Sequence, residues 1–101
     1  MNFELTEEAG ADLQSIWSYT AVTWSEEQAD KYFNLILDEI EYLCQFPSAG
    51  KKLELFGVEF RFANIQSHII FYSIKDKQTI LVLRILHESA DFPNQLTDQL
   101  Q

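Results

Sequence analysis

The chain is expected to fold as one α+β domain over residues 1–101, an antiparallel helical hairpin laid on a small antiparallel sheet. Three observations predict it. Apolar residues recur at helical spacing from Ala9 to Cys44, and past Lys51 and Lys52 the period drops to two. Between the two halves of the helical stretch stands "SEEQ", Ser25 to Gln28, a capping box with almost no loop before it.

The elements follow in order. "NFEL" alternates apolar and polar and predicts a short first strand. Thr6 followed by Glu7 and Glu8 suits a helix start, because a side-chain oxygen can take a free amide and acids favour the positive helix end. Ala9, Leu13, Ile16, Trp17, Thr20 and Trp24 then share one helical face. Gly10 weakens that first turn by about 1 kcal/mol without erasing the pattern. After the capping box a second helix turns Ala29, Tyr32, Phe33, Ile36, Leu37, Ile40, Leu43 and Cys44 inward. "FPSAG", 46–50, stops it, since proline breaks the amide ladder and glycine permits a reversal. "VEFRFAN", "SHIIFYSI" and "TILVLRIL" are rich in β-branched and aromatic residues and predict a three-stranded antiparallel meander joined by "NIQS" and "KDKQ". The order is β-α-α-β-β-β, with a short polar C-terminal tail from Asp91.

Turns centred on Ile65–Gln66 and Asp76–Lys77 would sort the meander into two faces. Phe60, Phe62, Ile69, Phe71, Val82, Arg84 and Leu86 fall on one, and Arg61, His68, Ile70, Tyr72, Leu81, Leu83, Ile85 and His87 on the other. Both are largely apolar, yet one hairpin covers only one. The second face therefore needs the tail, a second copy or a partner chain.

Composition narrows the function classes. Hydrophobic residues make up 47% and aromatics 14%, too many for a disordered chain. Cys44 is the lone cysteine, so neither an internal disulfide nor a cysteine-based zinc site is expected, and no other metal or cofactor motif stands out. The acidic start "MNFELTEEAG" lacks a signal-peptide layout, and no apolar run approaches the ~20 residues of a membrane span. A cytoplasmic, reduced protein without membrane contact is expected. The net charge of −9 is one-sided: residues 1–48 carry ten acids against Lys31, while residues 49–101 carry six of each sign. Such a chain is not expected to bind nucleic acid directly with high affinity, because that rests on neutralising phosphates. The acidic half is either a solvated helix surface or a surface attractive to a basic peptide.

Among the polar residues, Lys52, Arg61, Arg84 and His87 could gather around an RNA phosphate, with histidine as general acid or base. Against this, Arg84 and His87 are three apart in "LRILHES" and so point to opposite faces of an ideal strand. A strand arginine more often makes an ion pair, here with Glu59, Glu88 or Asp91, and His68 and His87 more often simply end strands. Trp17, Tyr32 and Phe33 are either hairpin core or the wall of a groove for a partner helix, and Trp24 and Tyr42 share the ambiguity.

Four phrases in order, "LTEEAGADLQSIWSYTAVTWSEEQADKY", "FPSAGKK", "RFANIQSHIIFYSI" and "ILVLRILHESADF", resemble the ParE branch of the RelE/ParE toxin superfamily from about Phe3 to Phe92. The resemblance implies the same helical hairpin on a sheet. It implies a non-enzymatic toxin of a bacterial type II toxin–antitoxin pair that binds DNA gyrase and is silenced by a cognate, ParD-like antitoxin wrapped around it. Trp17, Tyr32, Arg61, Tyr72, Arg84 and His87 are the candidate antitoxin- or target-binding residues. In the RelE branch the implied activity is ribosome-dependent mRNA cleavage, for which Lys52, Arg61, Arg84 and His87 lie near the required positions. A third reading is a non-toxic binding module that kept the fold. It is suggested by Glu88, Ser89 and Ala90 where the ParE-like pattern carries glycine and two arginines, and by the acidic balance.

Overall fold

A computed structural model of the chain describes residues 2–90, 93, 95 and 96. Strand β1 (Asn2–Leu5) leads into helices α1 (Glu7–Thr23) and α2 (Glu26–Gln45). A 3-10 turn at Pro47–Ala49 follows, and then strands β2 (Lys51–Leu55), β3 (Val58–Ile65), β4 (His68–Ile74) and β5 (Thr79–His87). The five strands form one mixed sheet in the order β1-β5-β4-β3-β2.

Both helix starts are capped as their residues dictate. The Thr6 hydroxyl accepts the Ala9 amide at 3.0 Å and donates to the Leu83 carbonyl at 2.7 Å, so the cap of α1 also ties it to β5. Ser25 accepts the Gln28 amide at 3.0 Å. Trp17 Nε1 donates to Asp30 at 2.9 Å and staples the two helices together. Ala9 and Leu13 of α1, and Ala29, Ile36, Ile40, Leu43 and Cys44 of α2, are buried. Trp24, expected on the buried face of α1, is instead 76% exposed, because α1 ends there and the chain turns outward into Ser25.

The sheet departs from the expected meander in three ways. First, four strands follow the hairpin rather than three. "KKLEL" alternates sides as β2 and returns through Phe56–Gly57 with both turn residues at positive φ, 54° and 80°. Such a turn ordinarily advertises itself with asparagine or aspartate before glycine, and a bulky phenylalanine in the left-handed region hides it. Second, β1 pairs parallel with β5, so the sheet is not wholly antiparallel. Third, the register differs. Ile65 pairs with His68 across Gln66–Ser67, which places Phe62, not Phe60, opposite Phe71. A shift of two leaves the faces of β3 and β4 as expected. In β5, however, Tyr72 faces Val82 while Phe71 faces Arg84, leaving Leu83 as an extra residue. The shifted register and the bulge exchange the faces of Leu81, Val82 and Leu83 relative to the expected lists.

The result is a core on each side of the sheet. Under the helices, Ile70, Tyr72, Ile80, Val82 and Ile85 pack with Leu13, Ile36, Ile40 and Leu43. On the other face Phe60, Phe71, Leu83 and Leu86 pack with Leu96. Leu96 is fully buried, so the tail supplies cover for the second face. Burying a leucine side chain contributes roughly 1.5–3 kcal/mol, enough to hold a short segment down. Apart from Pro93, Gln95 and Leu96, the polar tail expected from Asp91 lies outside the described residues.

Candidate functional site

An open groove of about 750 Å³ lies between the α1–α2 hairpin and the β3–β4 turn, with His87 of β5 at its end. Ile16, Tyr19 and Trp24 line it from the α1 side, Tyr32 and Leu35 from α2, and His68 from β4. The hairpin and the β3–β4 turn form its two sides, with Gln66, Ser67 and His68 facing Tyr19, Tyr32 and Leu35 across it. Tyr19, Trp24 and Leu35 are 70%, 76% and 42% exposed, an apolar rim left facing water.

Its polar floor is a small linked group. Tyr32 Oη lies 2.6 Å from His68 Nδ1 and 3.3 Å from the Ile65 carbonyl. One hydroxyl proton serves one of these: either Tyr32 donates to the carbonyl while His68 donates to Oη, or Tyr32 donates to His68. His68 stands directly opposite His87 in the sheet, with the rings edge to face and their centroids 5.3 Å apart. His87 Nδ1 accepts the Ser89 amide at 3.1 Å, with the Ser89 hydroxyl at 2.7 Å, which assigns its proton to Nε2 when the ring is neutral. Burial lowers the His68 pKa from its ordinary value, and His87 lowers it further, against the opposing pull of Glu88 and Asp12.

The sequence-predicted site residues are spread over the molecule. Tyr32 and His87 line the groove. Trp17 lies half-buried beside it, occupied by Asp30. Tyr72, expected to face a partner, is fully buried: its hydroxyl donates to the Pro47 carbonyl at 2.6 Å and accepts the Gly50 amide at 3.0 Å, latching the exit of α2 onto the sheet. Arg61 donates to the Gly50 carbonyl at 2.8 Å and to that of Ser48 at 3.4 Å, serving the same exit, and Lys52 pairs opposite it on β2. Arg84 is held by Asp12 through Nε at 2.8 Å and Nη2 at 3.0 Å, with 15% of each side chain exposed. The same carboxylate accepts the Ile85 amide at 3.0 Å, so α1 closes the length of β5 that β1 does not reach.

The four residues proposed for RNA cleavage are therefore not brought together. His87 lies level with Ile65, four residues along β3 from Arg61, roughly 13 Å. No group of three His, Cys, Asp or Glu side chains among the described residues could hold a metal ion, and no described helix is long and apolar enough to cross a membrane. Sequence reasoning passed over Tyr19 and Leu35. Their signal is faint but present: each is a large apolar residue one position off the buried stripe, Leu35 beside Ile36 and Tyr19 beside Thr20.

Taken together, a sheet filled on both faces, an open apolar groove and dispersed cations describe a small partner-binding α+β protein. The chain belongs to the ParE family, described as the ParE toxin of the type II toxin–antitoxin system parDE, whose model matches residues 3–92. Toxin ParE1 of Caulobacter vibrioides is 31% identical over 89 residues, covering 88% of this chain and 91% of that one. Toxin ParE of Escherichia coli is 31% identical over 97 residues, covering 96% and 94%, and Toxin ParE1 of Mycobacterium tuberculosis is 29% identical over 92 residues, covering 91% and 94%. A solved chain of the chromosomal ParDE system of P. aeruginosa superposes with a TM-score of 0.74 at 26% identity, covering 86% of this chain and 95% of its own. The protein is thus a ParE-like toxin and not an enzyme.

Proposed function

We propose that the protein arrests growth by binding DNA gyrase in the cytoplasm, and that a cognate ParD-like antitoxin silences it by occupying the groove. The observation that carries the antitoxin half is the apolar rim of Tyr19, Trp24 and Leu35, left open on a chain of a family whose members work in pairs. Exposed aromatics beside a concavity are costly to leave in water and typical of interface anchors. The gyrase half rests on family membership together with the dispersal of Lys52, Arg61, Arg84 and His87, which leaves binding rather than cleavage as the means of poisoning. The net charge of −9 favours a protein target over a nucleic acid.

The test is induction of this chain alone, followed within minutes by pulse labelling of new DNA and new protein. Early loss of DNA synthesis with translation still running is expected, and purified protein should inhibit gyrase supercoiling. Early loss of translation would overturn the gyrase reading. Undisturbed growth would make the chain a non-toxic member that kept the fold.

A further inference from the structure

We propose that the groove is built for a positively charged occupant: an amphipathic segment whose apolar stripe fills the groove and whose flanks carry lysine and arginine. The proposal rests on the groove being the antitoxin's seat and names the chemistry of the segment that fits it.

The groove supplies the apolar half of such a match through Ile16, Tyr19, Trp24, Tyr32 and Leu35. Charge supplies the rest. Lys31 is the one lysine or arginine among the lining residues. Glu27 stands one turn before it and Asp38 one turn beyond Leu35, both exposed and on the same lane of α2. Glu88 follows His87 at the sheet end, exposed, and exerts a negative field on His68 at the groove floor. A helical turn advances about 5.4 Å, inside the roughly 8 Å screening length of physiological salt, so these carboxylates act on whatever enters.

Lys31 is the one fixed charge in the lining and offsets part of this field, while the carboxylates stand around the groove and outnumber it. Glu4 is spent on Lys75 and Asp12 on Arg84, so neither is counted in this field. Residues 49–101 carry equal numbers of acids and bases, so the excess of −9 belongs to the half of the chain that forms β1 and the helices. An acidic partner segment would be repelled on approach and would place like charges against Glu27, Asp38 and Glu88. A basic one is steered in and paired at the rim.

The probes are three synthetic 18-residue amphipathic peptides sharing one leucine and phenylalanine stripe and differing only in flanks: lysine and arginine, glutamine, or glutamate. Each is titrated calorimetrically into the full chain at 50 and 300 mM NaCl. The basic peptide is expected to bind about tenfold or more tighter than the acidic one at low salt, with the gap closing at high salt. Leu35→Asn should weaken all three, and the double variant Glu27→Lys with Asp38→Lys should reverse the ranking. If the acidic peptide binds as well as the basic one while Leu35→Asn still weakens both, the charge proposal falls and the groove reading stands. If no peptide binds, or Leu35→Asn changes nothing, both fall.

Discussion

Replacing Asp12 with alanine is expected to destabilise the fold by about 3 kcal/mol, although the residue lies in the first half of a surface helix. The carboxylate takes three donors at once: Arg84 Nε at 2.8 Å, Arg84 Nη2 at 3.0 Å and the Ile85 amide at 3.0 Å. An exposed ion pair would contribute only about 0–1 kcal/mol, whereas removing one partner of a buried pair costs roughly 3–5 kcal/mol. With 15% of each side chain exposed, this pair lies near the buried limit. The guanidinium keeps long contacts of 3.4 Å to the Gln95 carbonyl and side chain, which soften the loss, while the orphaned Ile85 amide adds about 1 kcal/mol. The assay is urea unfolding followed by far-UV circular dichroism, read as a shift in midpoint at constant slope. For about 100 residues, 3 kcal/mol corresponds to a fall of roughly 15 °C in Tm. Asp12→Asn keeps one acceptor and should cost roughly 1–2 kcal/mol. The double replacement Asp12→Leu with Arg84→Met should recover most of the loss, because it removes both charges from a largely dry site. A loss below about 0.5 kcal/mol for Asp12→Ala, with no coupling to Arg84 in the double-mutant cycle, would refute the reasoning.

The latch at the exit of α2 and the histidine at the groove floor each carry a further prediction. Tyr72→Phe should cost roughly 2 kcal/mol through the loss of two buried hydrogen bonds, and Gly50→Ala should cost at least as much: an added Cβ would lie 2.8 Å from Tyr72 Cε1 and closer still to its hydroxyl. Chemical denaturation checks both, and a neutral Gly50→Ala would show that the latch yields easily. The second concerns pH: because burial and His87 hold the His68 pKa below 6.5, the unfolded chain takes up a proton as pH falls past about 6.5 while the folded one does not, so stability should decline on acidification until His68 itself titrates. The urea midpoint followed from pH 7 to 5.5 should fall in the native chain and fall less in His68→Gln, and equal slopes would remove His68 as the cause.

Residues next to one another in sequence carried most of the fold, and residues far apart carried most of what was missed. Both helices, their caps at Thr6 and Ser25, the stop at "FPSAG" and four of the five strands follow from spacing and turn chemistry within a few residues. β2 escaped because its turn is Phe56–Gly57, where side-chain type and backbone conformation disagree. The groove was half legible: Tyr32, Trp24 and His87 stand out as possible surfaces, whereas Tyr19 and Leu35, each one position off the apolar stripe, give only a faint signal.

By itself, then, the sequence determined the element types, the α+β class and the one-sided charge, because these depend on local periodicity, capping and composition. Only the tertiary structure decided which face each residue of β5 occupies, since one extra residue at Leu83 reverses the alternation and leaves no mark in the pattern of apolar residues. It alone decided that Arg84 meets Asp12 across 72 positions of chain, and that Tyr72 is a latch rather than a contact. It also decided that Tyr19, Trp24 and Leu35, up to 16 positions apart in the chain, stay exposed around one groove.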